Sequence, residues 1–492
     1  RQVLYGNGFI EREFGAEEMA KDIFLPDCFG FSYTLPTLAA HCGLIGFSSQ
    51  KLGWRNNDFY EGKLKRYPFS VGLWQGIDGS RIMMAHGYGY GQTYPEQDLS
   101  ENRRLLHEMN ESTLPQGYRY YGTGDTGGSP TVETVRSVVK GMKGNGPVKI
   151  LCATSDQLYK DYLPFDQHPE LPVFDGELTM DVHGTGCYTS EAAMKSYNRQ
   201  NEHLADAAER ASVVAEWAGA MPYPGEWLTD AWHRMIVHQF HDDLTGTSLP
   251  ECYQFSYNDE YLNLRQMKSI IESAATSSAS VLDTRVKGIP AVVFNPVSAP
   301  NSDPVEIEIP LDGKYRSVKV TGPDGRRVPA QIIARTEGSA RILFAGQAPS
   351  AGLSVYDIVP STSPEKSASS LKAKGNTIEN RIYRVTVNSD GDICSVYDKR
   401  YSRELVRKGE AFGLAFFENN VSDNWPAWEI MKETMDRTPV KVNSDVRISV
   451  EECGPLRAVL KVERTHAGSS FTQRIILTQG AQDERIDIVN TV

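Results

Sequence analysis

The 492-residue chain carries 63 acidic against 51 basic side chains, a formal charge of −12. That balance argues against non-specific binding to nucleic acid or to an anionic membrane surface, whose affinity comes from Lys and Arg. No uncharged apolar run of about 18 residues occurs, so a membrane-spanning helix is not expected, and the seven cysteines, none in a CxxC pair, read as isolated thiols rather than a disulfide framework.

At this length two to four domains are expected. Residues 1–187 alternate helix-like and strand-like segments, among them "GAEEMAKD", "RIMMAHG", "TVETVRSVVKGMKGNG" and "GELTMDVHG", the signature of an α/β domain. Gly144 and Gly146 predict the end of a helix carrying Val135, Val138, Val139 and Met142, and "VKILCAT" predicts the buried strand after it. Residues 188–284 read as helical throughout, and three helices of this length predict an antiparallel bundle. Residues 285–492 switch to apolar/polar alternation broken by turn residues, which predicts β-sandwich domains; "STSPEKSASSLKAKGN" at 361–376 reads as a flexible link between them. The chain opens on Arg1 and ends on "ERIDIVNTV", both of which read as cut within a domain. Compartment, cytoplasmic or bacterial periplasmic, therefore stays open, as does homo-oligomerisation.

Three stretches carry residues suited to chemistry. In "VHQFHDDLTGT", His238 and His241 are spaced to share a helical face, and Asp242 and Asp243 precede a TGT turn that puts the acids at a rim. Imidazole beside carboxylate suits a borderline cation such as Zn²⁺; two histidines packed or solvated on an amphipathic helix is the alternative. In "YYGTGDTGGSPT", Asp125 sits among Gly122, Gly124, Gly127 and Gly128, which suits an acid at the tip of a tight loop, with a plain Asp-Gly turn as the alternative. In "KDIFLPDCFG", a short buried strand puts Asp27 at its carboxyl end, where α/β folds keep their ligand crevices; capping of the next helix is the alternative.

Aromatic residues recur around these acids, including Phe29, Phe31, Tyr33, Trp54, Phe59, Tyr60, Phe69, Trp74, Tyr88, Tyr90 and Tyr121. Flat rings beside carboxylates suit a sugar, whose C–H faces stack while its hydroxyls seek hydrogen bonds. No Gly-x-Ser-x-Gly elbow, Walker loop, dinucleotide fingerprint or HExxH helix is present. A carboxylate-based hydrolase and a metal site remain, separately or together.

These three stretches, in this order and followed by β-sandwiches, resemble glycoside hydrolase family 38, the α-mannosidases of bacterial type. The likeness extends to "SSQKLGWRN", "SVGLWQGIDGSRI", "GELTMDVHGTGCYTS", "KSYNRQNEHL" and "ENRIYRVTVNSDGDICSVYDK". It implies a distorted, barrel-like α/β catalytic domain, a helical bundle and β-sandwiches. It implies zinc-dependent, retaining hydrolysis of α-linked mannose from mannose-containing oligosaccharides, with Asp27 as both nucleophile and zinc ligand. It further implies His241 as a zinc ligand, Asp242 beside the ion or a sugar hydroxyl, Asp125 as general acid/base, and Lys51 as a basic group near the nucleophile. The family opens its domain with a strand ending in His-x-Asp, and here no histidine precedes His41. Two further zinc ligands are therefore expected upstream of Arg1, and this chain alone is expected to be inactive. A catalytically inactive carbohydrate-binding member of the same fold is the competing expectation.

Overall fold

Strand β1 (Asp22–Phe24) runs parallel to β2 (Gly46–Ser49), and β2 runs parallel to β4 (Arg81–His86). The sheet continues through β3 (Val71–Gln75), antiparallel to β4, to β5 (Val173–Asp175), giving the order β1-β2-β4-β3-β5. Both faces are covered, which is why β2 and most of β4 are buried without alternation. On one face Phe31, Phe47, Trp74, Ile82 and Met84 form a cluster; on the other Val71, Leu73, Met83, Tyr159 and Leu171 do. The switch from Ile82 to Met83 to Met84 follows the two-residue period of the pleat. Among the described residues the sheet is open, in contrast to the barrel-like form that the family resemblance implies.

The computed structural model describes residues 1–492 except 54–68, 87–90, 92, 113, 115, 126–127, 181–182, 303, 365–368, 418–421, 423 and 481–482. Trp54, Phe59, Tyr60, Tyr88, Tyr90, Gly127 and part of the 361–376 link lie outside the described residues.

Helices α1 (Gln2–Phe14), α2 (Leu35–His41), α3 (Arg103–Glu111), α4 (Val132–Lys143) and α5 (Gln157–Asp161) accompany this sheet. Thr131 caps α4 by accepting the Thr134 N–H, and Gly144 follows its last residue. The expected strand "VKILCAT" does not form: residues 149–154 have no regular structure and Leu151 is exposed. An apolar run becomes a strand only where a neighbour accepts its ladder, and no sheet of the described residues includes this segment.

The fold resolves into two compact units, the first of Arg1–Asn198, Ile236–Asn258 and Asn420–Lys432, the second of Arg199–Met235, Asp259–Asn419 and Glu433–Val492. Helices α6 (Ala192–Trp217), α7 (Gly225–Val237) and α8 (Cys252–Ser280) contribute to both. In the second unit they share one buried cluster, Ala205 and Ala208 with Leu228, Ala231, Met267 and Ile270. Among the described residues no helix is long and apolar enough to cross a membrane.

Among the described residues the rest of the second unit holds two pairs of sheets and a two-stranded sheet that pairs Ala415–Phe416 with Val440–Lys441. A four-stranded sheet over Ile289–Ser361 shares buried Ile309, Val318, Ile342, Phe344 and Tyr356 with a three-stranded one. A five-stranded sheet over Lys372–Glu404 shares Val385, Ile393, Leu460, Val462 and Ile475 with a four-stranded sheet over Ser444–Thr491. Inside the second pair, Arg464 and Asp392 form a buried ion pair at 3.0 Å.

Candidate active site around Asp27

Asp27 is positioned by the end of a parallel ladder. Beyond β1 the Leu25 N–H still donates to Ser48 O at 3.0 Å, and the Gln50 N–H donates to Pro26 O at 3.3 Å. Asp27 and Lys51 thus each follow the carboxyl end of one of two neighbouring parallel strands, where such sheets leave a crevice. Lys51 is buried, and its Nζ lies 2.7 Å from Asp27 Oδ1; Gln50 Nε2 donates to the same oxygen at 3.5 Å. Downstream the chain is pinned again: the Phe31 N–H donates to Leu178 O at 2.7 Å, and Leu178 returns a bond at 3.0 Å. The reading of Asp27 as a helix cap fails, because α2 begins only at Leu35 and has no side-chain cap.

His241 reaches the same carboxylate from a long sequence distance. Helix α7 ends at Val237, and His238–Gly246 form successive turns rather than more helix. The predicted shared face of His238 and His241 therefore does not exist. His238 turns inward, its Nδ1 2.6 Å from Asp243 Oδ2, and Ser256 Oγ donates to both oxygens of Asp243 at 2.8 and 3.0 Å. His241 instead faces the crevice, with Nε2 3.7 Å from Asp27 Oδ2 and 3.4 Å from Asp242 Oδ2. The turn depends on its TGT sequence: Gly246 has φ 85°, and Thr247 Oγ1 donates to Asp242 Oδ1 at 2.7 Å.

Asp27, Lys51, His241 and Asp242 are thus brought together. Asp125 lies at the exposed tip of its loop with φ 59°, a left-handed conformation that Asp tolerates. Of the aromatic residues, Phe31, Phe69 and Trp74 are core, whereas Phe29 faces Lys51, whose Nζ is 5.6 Å from the ring centroid. Burial, then the charges of Asp27 and Asp242, push the Cys28 thiol up to about 11, so it is protonated near neutral pH and is no nucleophile.

His183 and Glu429 escaped the sequence reading. The two form an isolated antiparallel bridge, with His183 Nδ1 3.3 Å from Glu429 Oε1. Burial lowers the His183 affinity for a proton, against the hydrogen bond to Glu429 that raises it. His183 stood within a quoted glycine-rich block, but nothing in the pattern around Glu429 ties it to a residue 246 positions away.

The chain matches family profiles described as the glycosyl hydrolases family 38 N-terminal domain over residues 1–177, the alpha mannosidase middle domain over 183–277, and the glycosyl hydrolases family 38 C-terminal domain over 378–492. The chain belongs to glycosyl hydrolase family 38. It is 28% identical over 517 aligned residues to alpha-mannosidase G of Dictyostelium discoideum, covering 97% of this chain and 45% of that protein. It is 25% identical to mouse alpha-mannosidase 2C1, covering 98% of this chain and 43% of the relative. The chain thus spans less than half the length of these relatives. The crystal structure of an alpha-mannosidase from Enterococcus faecalis V583 matches with a TM-score of 0.68 at 14% identity, over 96% of this chain and 60% of that one. At that identity the match establishes the shared fold, a mixed α/β N-terminal part followed by β-sheet domains.

Members of family 38 are expected to hold zinc, and the donors here can be measured against that ion. Two ligands of a tetrahedral zinc bonded at about 2.0–2.2 Å lie about 3.3–3.6 Å apart. The 3.7 and 3.4 Å separations from His241 Nε2 are close to this, and imidazole and carboxylate are the right donor types. Among the described residues, however, no group of three or more His, Cys, Asp or Glu could hold a metal ion. Asp27 and His241 are thus two donors of the types that zinc takes, short of a set that would hold the ion among the described residues.

Proposed function

We propose that this chain carries the nucleophile and part of the zinc site of a retaining α-mannosidase that removes terminal α-linked mannose from glycans. The observation that carries the reading is the setting of Asp27, paired with a buried lysine and facing His241 and Asp242 in a chain of family 38. The names of the relatives, each an alpha-mannosidase, support the substrate class.

In this reading one oxygen of ionised Asp27 attacks the anomeric carbon while Asp125 gives its proton to the departing glycosidic oxygen. Water then attacks the mannosyl–Asp27 ester, giving its proton to Asp125 and restoring both residues. Lys51 fixes the plane of the Asp27 carboxylate through its 2.7 Å contact with Oδ1. Asp242, oriented by Thr247, accepts a sugar hydroxyl. Asp27 and His241 would hold the zinc, with the remaining ligands supplied by residues outside those described. When bound, the ion supplies positive charge that polarises ring hydroxyls.

The test is cleavage of an aryl α-mannoside by the full-length protein. Asp27→Asn should abolish turnover and a chelator should suppress it. Full activity in Asp27→Asn refutes the assignment, and mannose binding without turnover in metal-loaded wild type would mark an inactive carbohydrate-binding member.

A further inference from the structure

The first unit includes a short piece of chain from far downstream, 422–432, that is tied to the turn after β5. The N–H groups of Gly184 and Gly186 both donate to Trp428 O, at 3.0 and 2.8 Å, and Ser190 Oγ donates to Ala427 O at 2.6 Å. Glu429, 7% exposed, receives Ser422 Oγ–H at 2.6 Å on one oxygen and faces His183 with the other. The His183 ring, 1% exposed, stands edge-on between two aromatic rings, Phe29 at 5.5 Å and Trp425 at 5.3 Å. Gly184 has φ 96°, and a Cβ there would lie 2.6 Å from Phe29 Cβ, so this turn presses directly on Phe29. Phe29 in turn carries the Lys51 ammonium that meets Asp27.

We propose that Glu429 is a positioning residue, acting through His183 and the Phe29 ring to set Lys51 against Asp27. The inference rests on the glycosidase reading for its kinetic consequence, though not for its geometry. A buried carboxylate that accepts from both Ser422 and the imidazole restrains the plane of that ring. With the plane fixed, the ring edge defines where Phe29 packs, and the Phe29 face defines where a buried ammonium rests. Loss of the carboxylate removes that restraint on the imidazole, and the error passes to the nucleophile as misplacement rather than as lost substrate contact.

The experiment compares Glu429→Leu, Glu429→Gln and Ser422→Ala in the full-length protein, by kinetics on an aryl α-mannoside and by crystallography. Glu429→Leu should lower kcat about 10- to 100-fold with KM little changed, because misplacement on the order of 1 Å acts on the chemical step. Glu429→Gln, which keeps one oxygen to accept from His183 and offers an amide N–H to the Ser422 hydroxyl oxygen, should restore kcat to within about threefold of wild type, a rescue consistent with its retained hydrogen bonding. A purely structural role would reduce only the amount of folded protein, so a wild-type kcat per folded Glu429→Leu molecule overturns the proposal. If that variant does not fold, Ser422→Ala removes the hydroxyl that donates to Glu429 and accepts the Asn424 and Trp425 N–H groups, and should still lower kcat by about a few fold; an unchanged kcat there is equally fatal. In crystals of either variant the Phe29 ring should shift and the 2.7 Å Lys51–Asp27 contact lengthen; an unmoved pair overturns the inference. That arm holds even if wild type cleaves no mannoside, a result that would sink the glycosidase reading alone.

Discussion

Gly246→Ala separates two costs that usually come mixed. Gly246 sits at φ 85°, and an added Cβ would lie 2.5 Å from the carbonyl carbon of Ser190. Carbon atoms pack at about 3.5–4.0 Å, so something must move by about 1 Å. Ser190 resists, because its N–H donates to Gly186 O at 2.9 Å and its hydroxyl to Ala427 O at 2.6 Å. Gly43 supplies the control: it has φ 75°, and a Cβ there would meet nothing within 4 Å. Gly43→Ala should cost only the left-handed strain, about 1–2 kcal/mol. Gly246→Ala should cost that plus about 1–3 kcal/mol of overpacking. The displaced turn carries His241 and Asp242, so kcat/KM on an aryl α-mannoside should fall by up to about 100-fold for Gly246→Ala and remain near wild type for Gly43→Ala. Urea denaturation and steady-state kinetics on both variants decide the matter. Equal effects of the two substitutions would refute the reasoning.

Asp243→Ala removes the carboxylate that His238 and Ser256 share and should cost about 1–3 kcal/mol, with Asp243→Asn recovering part of it; hydrogen exchange across 238–248 should rise in the alanine variant and not in the other. In the second unit, burial raises the Asp392 carboxyl and lowers the Arg464 guanidinium despite their pairing. Asp392→Ala should therefore destabilise by about 3–5 kcal/mol in a urea titration, whereas replacing both partners by Leu and Met should be near neutral. His86, buried with Nε2 2.5 Å from Phe69 O, is lowered by burial to about 4. The unfolded chain takes that proton near pH 6.5, so stability present above pH 6.5 should fall by about 3 kcal/mol on acidification to pH 4. His86→Leu should flatten that portion of the pH–stability curve.

The acid after a short strand was legible in the sequence because strand, proline and glycine signals are local, and so was the turn after His241, since Thr-Gly-Thr cannot continue a helix. Local pattern also separated the α/β, helical and β-rich stretches. It failed where the outcome depended on a partner. "VKILCAT" has strand composition but lies outside every described sheet. His238 and His241 have helical spacing, yet the helix stops at Val237 and sends them to opposite sides. Lys51 could be placed near the nucleophile only through the family resemblance until parallel pairing of β1 and β2 buried it beside Asp27. Glu429 was invisible altogether, because its neighbours are chosen by long-range packing rather than by spacing along the chain. Composition, periodicity and turn chemistry determined which elements this protein has; which side chains meet at Asp27 was decided only when distant segments were brought to the end of one parallel ladder, where desolvation and hydrogen bonding select partners that no local pattern encodes.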